Sequence, residues 1–109
     1  MKQSNLYPLT ISDLIYAEGL IRDIPNYPRP GIVFKDLTPV MRDAKAFQWV
    51  VENLTKLLVP LGIEAVVGVE ARGFVFGAVV AHQAELPFVP VRKPGKLPGF
   101  TASVEYELE

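Results

Sequence analysis

In this 109-residue chain the residues best suited to chemistry fall in two short runs, Glu70-Ala71-Arg72-Gly73 and Arg92-Lys93-Pro94-Gly95-Lys96-Leu97-Pro98-Gly99. The first puts a cation and a glycine where a helix is predicted to begin. Backbone N–H groups of a first helical turn lack partners within the helix, and the helix dipole adds partial positive charge, so an anion is favoured there. Glycine at that point lets the main chain approach such a ligand closely. The second run places three positive charges, Arg92, Lys93 and Lys96, on a backbone restrained by Pro94 and Gly95. Two cationic loops at neighbouring strand ends would hold a polyanion, a phosphate or pyrophosphate. Each run alone also has a plainer reading: an ordinary strand-to-helix turn with a surface arginine, and a solvated basic face.

Other residues carry weaker signals. Glu105, Glu107 and Glu109 alternate with Val104, Tyr106 and Leu108. They form either an exposed ribbon or a lid whose carboxylate reaches the cationic loops, and spacing does not select one glutamate. Phe34, between Val33 and Lys35, is either core or an aromatic face over a flat ligand. His82, mid-helix in an apolar segment, reads as a packing residue, and Trp49 and Tyr16 as core or partner-contact residues.

The elements that position these residues follow from patterning. Ser12 is a plausible N-cap for a helix over 13–23, preceded by a loose extension, 1–11, in which Pro8 breaks any early helix. Pro25, Pro28 and Pro30 stiffen a loop ending at Gly31, and an extended piece follows at 32–34. Asp43 caps a helix over 44–59, whose Phe47, Val50, Val51, Leu54, Leu57 and Leu58 make one apolar stripe, stopped by Pro60 and Gly62. Residues 64–69 read as a buried parallel strand, 74–85 as an apolar helix and 87–91 as a second strand in which Pro90 suggests an edge. Strand, helix and strand over 64–91 form one βαβ unit in an α/β fold. Two strands are few for such a sheet, so a larger one is expected.

Composition narrows the classes further. Eleven basic against twelve acidic residues give a net charge of −1, which disfavours broad binding to nucleic acid or anionic lipid. Half the residues are hydrophobic and 21% charged, unlike a disordered chain. There is no apolar run of membrane-spanning length, and residues 1–10 lack a signal-peptide pattern. With no cysteine and one histidine, disulfides, thiolate nucleophiles and His-rich metal sites are excluded. A cytoplasmic chain is expected.

Three runs resemble the adenine phosphoribosyltransferases, of the type I phosphoribosyltransferase family: Ile21-Arg22-Asp23-Ile24-Pro25-Asn26-Tyr27-Pro28-Arg29-Pro30-Gly31-Ile32-Val33-Phe34-Lys35-Asp36, Val69-Glu70-Ala71-Arg72-Gly73-Phe74 and Val91-Arg92-Lys93-Pro94-Gly95-Lys96-Leu97-Pro98. They occur in the family's order and span about residues 12–109, the first three-fifths of such an enzyme by its expected strands. The resemblance implies an incomplete, Rossmann-like parallel-sheet phosphoribosyltransferase fold as a single domain. Its parts would be an N-terminal helix, a hood (24–36), helix 44–59, the βαβ unit and a basic loop with lid strand (92–109).

The implied activity is purine salvage: transfer of the phosphoribosyl group of phosphoribosyl pyrophosphate to adenine, giving AMP and pyrophosphate, with Mg²⁺ carried mainly by the substrate. Phe34 would stack on adenine while the backbone of Val33 and Lys35 bonds its edge. Glu70, Ala71, Arg72 and Gly73 would form the pyrophosphate loop, with a cis bond between Glu70 and Ala71, and Arg92, Lys93 and Lys96 would neutralise the same group. Glu109 aligns with the lid carboxylate and would be catalytic. A homodimer is implied. The family's paired acidic residues and Gly/Thr-rich ribose-phosphate loop are not in this sequence, so these 109 residues alone are expected to be inactive. Alternatives are a non-catalytic fragment and a purine-sensing regulator on the same fold.

Overall fold

A computed structural model describes residues 10–107, which fall into two compact units, one ending at Ile63 and one beginning at Glu64.

The first unit opens with α1 (Ile11–Gly19). Its cap is Thr10, not Ser12. The Asp13 N–H donates to Thr10 Oγ1 at 3.2 Å and the Thr10 N–H to Asp13 Oδ2 at 3.0 Å, a reciprocal box that satisfies two backbone donors. Thr10 and Ile11 are therefore part of the helical start rather than of a loose extension, whose other residues, 1–9, lie outside the described range. The helix stops before 23 because Arg22–Pro25 (β1) pairs antiparallel with Val33–Asp36 (β2). In that register Arg22 faces Asp36 and Asp23 faces Lys35, and both pairs are ion pairs at 2.6 Å.

The proline-rich stretch is the hairpin loop. It contains a cis Tyr27–Pro28 bond, Asn26 and Gly31 take φ of 56° and 88°, and the Gly31 N–H donates to Asn26 Oδ1 at 3.1 Å. A short helix not foreseen from the sequence, α2 (Thr38–Arg42), follows. Asp36 Oδ1 starts it by accepting the Thr38 N–H and hydroxyl at 3.0 and 2.8 Å. The long helix α3 (Ala44–Leu58) has the expected cap, the Ala46 N–H donating to Asp43 Oδ1 at 2.9 Å. The Tyr16 hydroxyl also donates to Asp43, tying α1 to α3. Ala17, Val40 and Ala46 form a small core, with Leu20, Ile21, Trp49 and Val50 packed on it. Of the expected stripe, Val51 is buried but Leu57 is 68% exposed. At 3.6 residues per turn, Leu57 is rotated about 80° away from Phe47, off the stripe's centre.

The second unit is the expected βαβ arrangement. β3 (Val66–Val69) and β4 (Phe88–Val91) pair in parallel, Val66 opposite Phe88 and Val69 opposite Val91, with α4 (Arg72–Ala84) between them in sequence. Three glycines set how closely α4 lies on the strands. A Cβ at Gly68 would come within 2.5 Å of the Gly73 carbonyl oxygen, one at Gly73 within 3.3 Å of the Gly68 carbonyl carbon, and one at Gly77 within 2.7 Å of the Phe88 ring. The other sheet face, Val67, Val69, Val89 and Val91, is exposed.

Two expectations fail in this unit. His82 is exposed near the C-terminal end of α4 rather than packed. Residues 101–107 form no strand and are exposed throughout, so the expected lid strand is not seen there. Among the described residues nothing pairs with that segment, and an alternating sequence without a cross-strand partner has no ladder to join. No helix among the described residues is long and apolar enough to cross a membrane.

Candidate functional site

In the second unit the two cationic loops leave the C-terminal ends of adjacent parallel strands, where α/β folds collect ligands. Glu70 and Ala71 turn the chain from β3 into α4 through a cis peptide bond, the bond at which the resemblance implied one. Arg72 and Gly73 are the first residues of α4, whose N-cap residue, Ala71, provides no side-chain cap. Arg72 is exposed.

The loop after β4 begins with Arg92 and Lys93 and is tied to the first loop by Glu70. The Lys93 N–H donates to Glu70 Oε1 at 2.7 Å, and Arg92 Nε lies 3.4 Å from the same oxygen. The Lys93 N–H, and after it the Arg92 guanidinium, hold the Glu70 carboxyl below its ordinary pKa. The guanidinium also lies over the Phe74 ring, 5.9 Å from its centroid, and Phe74 meets Phe88 edge-on. Arg92 is thus held by a carboxylate and an aromatic face, whereas Lys96 projects from an exposed turn. Arg72, Gly73, Arg92 and Lys93 thus stand at one end of one sheet. The arrangement can bind a polyanion by backbone N–H groups and cations together.

In the first unit Val33, Phe34 and Lys35 lie on β2. Val33 and Lys35 are two residues apart, so their backbone groups point to the same edge of the strand. The Lys35 ammonium is engaged with Asp23 at 2.6 Å. Phe34 is half-buried, with the Tyr27 ring edge-on at 5.2 Å between centroids. A flat face beside a strand edge with fixed donors and acceptors suits a heteroaromatic ring. Asp36, on the same strand, has its pKa pulled down to about 2, chiefly by the Thr38 N–H, then by the Thr38 hydroxyl and Arg22. Glu109, the expected catalytic residue, lies outside the described residues. Among the described residues no three His, Cys, Asp or Glu side chains converge as a metal site.

No family model matches the chain. Curated proteins do. An adenine phosphoribosyltransferase of Synechococcus sp. is 56% identical over 90 residues, which is 83% of this chain and 53% of that protein. The Caldanaerobacter subterraneus enzyme is 50% identical over 101 residues, 93% of this chain and 57% of its own length. The crystal structure of adenine phosphoribosyltransferase from Thermoanaerobacter pseudethanolicus superposes with a TM-score of 0.83 at 51% identity, covering 86% of this chain and 56% of that one. The match is to the adenine phosphoribosyltransferase family. The Saccharomyces cerevisiae enzyme, solved with adenine and an imino-altritol bisphosphate, superposes at 0.84 with 36% identity over 92% of this chain and 59% of that one. This chain spans about half the length of the curated adenine phosphoribosyltransferases it matches.

Within the part of the adenine phosphoribosyltransferase fold present here, sequence reasoning missed Phe74, Gly68 and Gly77 as supports of the two cationic loops, and Asp23 as the partner of Lys35. Asp23 had a signal: it mirrors Lys35 as Arg22 mirrors Asp36, a charge pattern that a hairpin brings into register. Phe74 and the glycines had none beyond their helical and strand spacing.

Proposed function

We propose that these residues are the base-binding and pyrophosphate-binding parts of an adenine phosphoribosyltransferase, which transfers the phosphoribosyl group of phosphoribosyl pyrophosphate to adenine in purine salvage. The observation that carries the reading is the pair of cationic loops joined by Glu70 at the strand ends of a fold that superposes on such enzymes at 51% identity. In this reading Phe34 stacks on adenine and the main chain of Val33 and Lys35 bonds its Watson–Crick edge, an arrangement that rejects guanine's reversed pattern. Arg72 and the Ala71–Gly73 backbone take the pyrophosphate, and Arg92, Lys93 and Lys96 offset its charge.

Adenine N9 attacks ribose C1′ as the C1′–oxygen bond to pyrophosphate breaks, and the N9 proton is lost. Positive charge builds on the ribose while negative charge builds on the leaving group, so cations fixed beside the pyrophosphate lower the barrier. Glu109 shares a proton with the base near N7. Among the described residues no acidic side chains form a cage for Mg²⁺, and the Glu70 carboxylate is occupied by Lys93 and Arg92, so the reading has the ion delivered on the substrate's own phosphate oxygens. That ion would add neutralisation of the leaving group. A cytoplasmic homodimer completes the proposal.

The test is AMP formation from adenine and phosphoribosyl pyrophosphate by the complete protein. Arg72→Ala is expected to lower turnover about 10²-fold, the scale of one lost contact to developing negative charge. Unchanged turnover removes Arg72 from the site, and no AMP from the wild-type protein contradicts the reading.

A further inference from the structure

Glu70 is an acidic side chain in the middle of a site meant for an anion. Taken alone it should repel pyrophosphate. Its surroundings give it another task. Its carboxylate accepts the Lys93 N–H at 2.7 Å and pairs with Arg92 at 3.4 Å, across 23 and 22 positions of sequence, and its own N–H donates to the Val91 carbonyl oxygen at 3.1 Å. The residue therefore continues the β3–β4 pairing by one backbone bond and then fastens the start of the second loop with its side chain. Arg92, so held, also lies on Phe74, in the first turn of α4. Loop 92–99 is exposed throughout, and within it the Lys96 N–H donates locally to the Lys93 carbonyl oxygen at 3.3 Å. Glu70 is its principal tie to the sheet.

We propose that Glu70 is a positioning residue for anion binding: it does not touch the pyrophosphate but holds the Arg92–Lys93 segment beside the Arg72–Gly73 helix start, so that cations from two loops face one ligand. A pre-set pair of loops spares the ordering cost that a free basic loop would incur on binding. The inference rests on the pyrophosphate reading above.

The experiment is calorimetric titration of the chain with inorganic pyrophosphate, on wild type, Glu70→Ala and Glu70→Gln, with the Lys93 amide followed by nuclear magnetic resonance. A charge that merely sits nearby and a brace predict opposite signs. Glu70→Ala removes a negative charge yet should weaken pyrophosphate binding about tenfold, the size of one lost charge-assisted contact. Glu70→Gln keeps an acceptor for the Lys93 N–H and should recover part of that loss. In wild type the Lys93 amide shift should follow the titration of the Glu70 carboxyl, and in Glu70→Gln that response should vanish. Unchanged or tighter binding by Glu70→Ala, with wild type binding, overturns the brace and leaves the pyrophosphate site standing. Wild type that does not bind pyrophosphate overturns the site itself, and the brace with it. A Lys93 amide insensitive to the carboxyl's titration overturns the contact on which the inference stands.

Discussion

Asp36 does two jobs at one point of the chain: it pairs with Arg22 across the hairpin and it opens α2 by accepting both the N–H and the hydroxyl of Thr38. All three contacts favour the ionised carboxylate, and its pKa drops from an ordinary 3.8 to about 2. A depressed carboxylate stabilises the fold above its unfolded-state value and loses that contribution as pH falls through its folded-state value. The hairpin-to-α2 junction should therefore weaken between about pH 4 and pH 2, and Asp36→Asn should flatten that part of the acid-stability curve while lowering stability at neutral pH. Carboxyl chemical shifts followed through the same range check the folded-state value. A curve with the same acid slope in Asp36→Asn would assign the loss to other carboxylates. By contrast, the Lys35–Asp23 pair is more than half exposed at both ends, where ion pairs contribute little to stability.

At the scale of elements, the α4–β3 contact fixes where the first cationic loop sits. Gly68 meets a carbonyl oxygen, which has no freedom to swing aside, whereas Gly77 meets the Phe88 ring, which can turn. Gly68→Ala should therefore destabilise the protein by about 3 kcal/mol or more, at the upper end of overpacking costs, and Gly77→Ala by less. Chemical denaturation midpoints measure both, and an unchanged midpoint for Gly68→Ala would contradict the close approach. The elements legible in the sequence were those whose signal is local: the β-branched run into β3, the Asp43 cap and periodicity of α3, and the apolar helix that became α4. The end of α1 is not legible because Ile21 and Arg22 continue the helical spacing, and only pairing with Lys35 and Asp36 draws Arg22 and Asp23 into a strand. Helix α2 has five residues, too few for a period, and starts from a side chain two positions upstream. The expected ribbon at 101–107 alternates correctly but has no partner beside it among the described residues.

For the whole molecule, the chain spans about half the length of the enzymes it matches, and one face of its parallel pair, with Val67, Val69, Val89 and Val91, stands exposed. Candidate ligand-facing residues were legible because their chemistry is carried by type and order: a glycine and an arginine at a helix start, a basic loop, an aromatic residue in a short strand. Their supports were not, since Glu70 to Lys93 and Arg92 to Phe74 are tertiary contacts that no local pattern announces. The central claim is that β2 presents an adenine-reading edge. It is tested most directly by titrating the chain with adenine, and separately with guanine, while following the backbone amides of Val33 and Lys35. Adenine should shift both amides and broaden the Phe34 ring signals, with guanine at the same concentration leaving them in place. Amides that ignore adenine, or that answer guanine equally, would contradict the account.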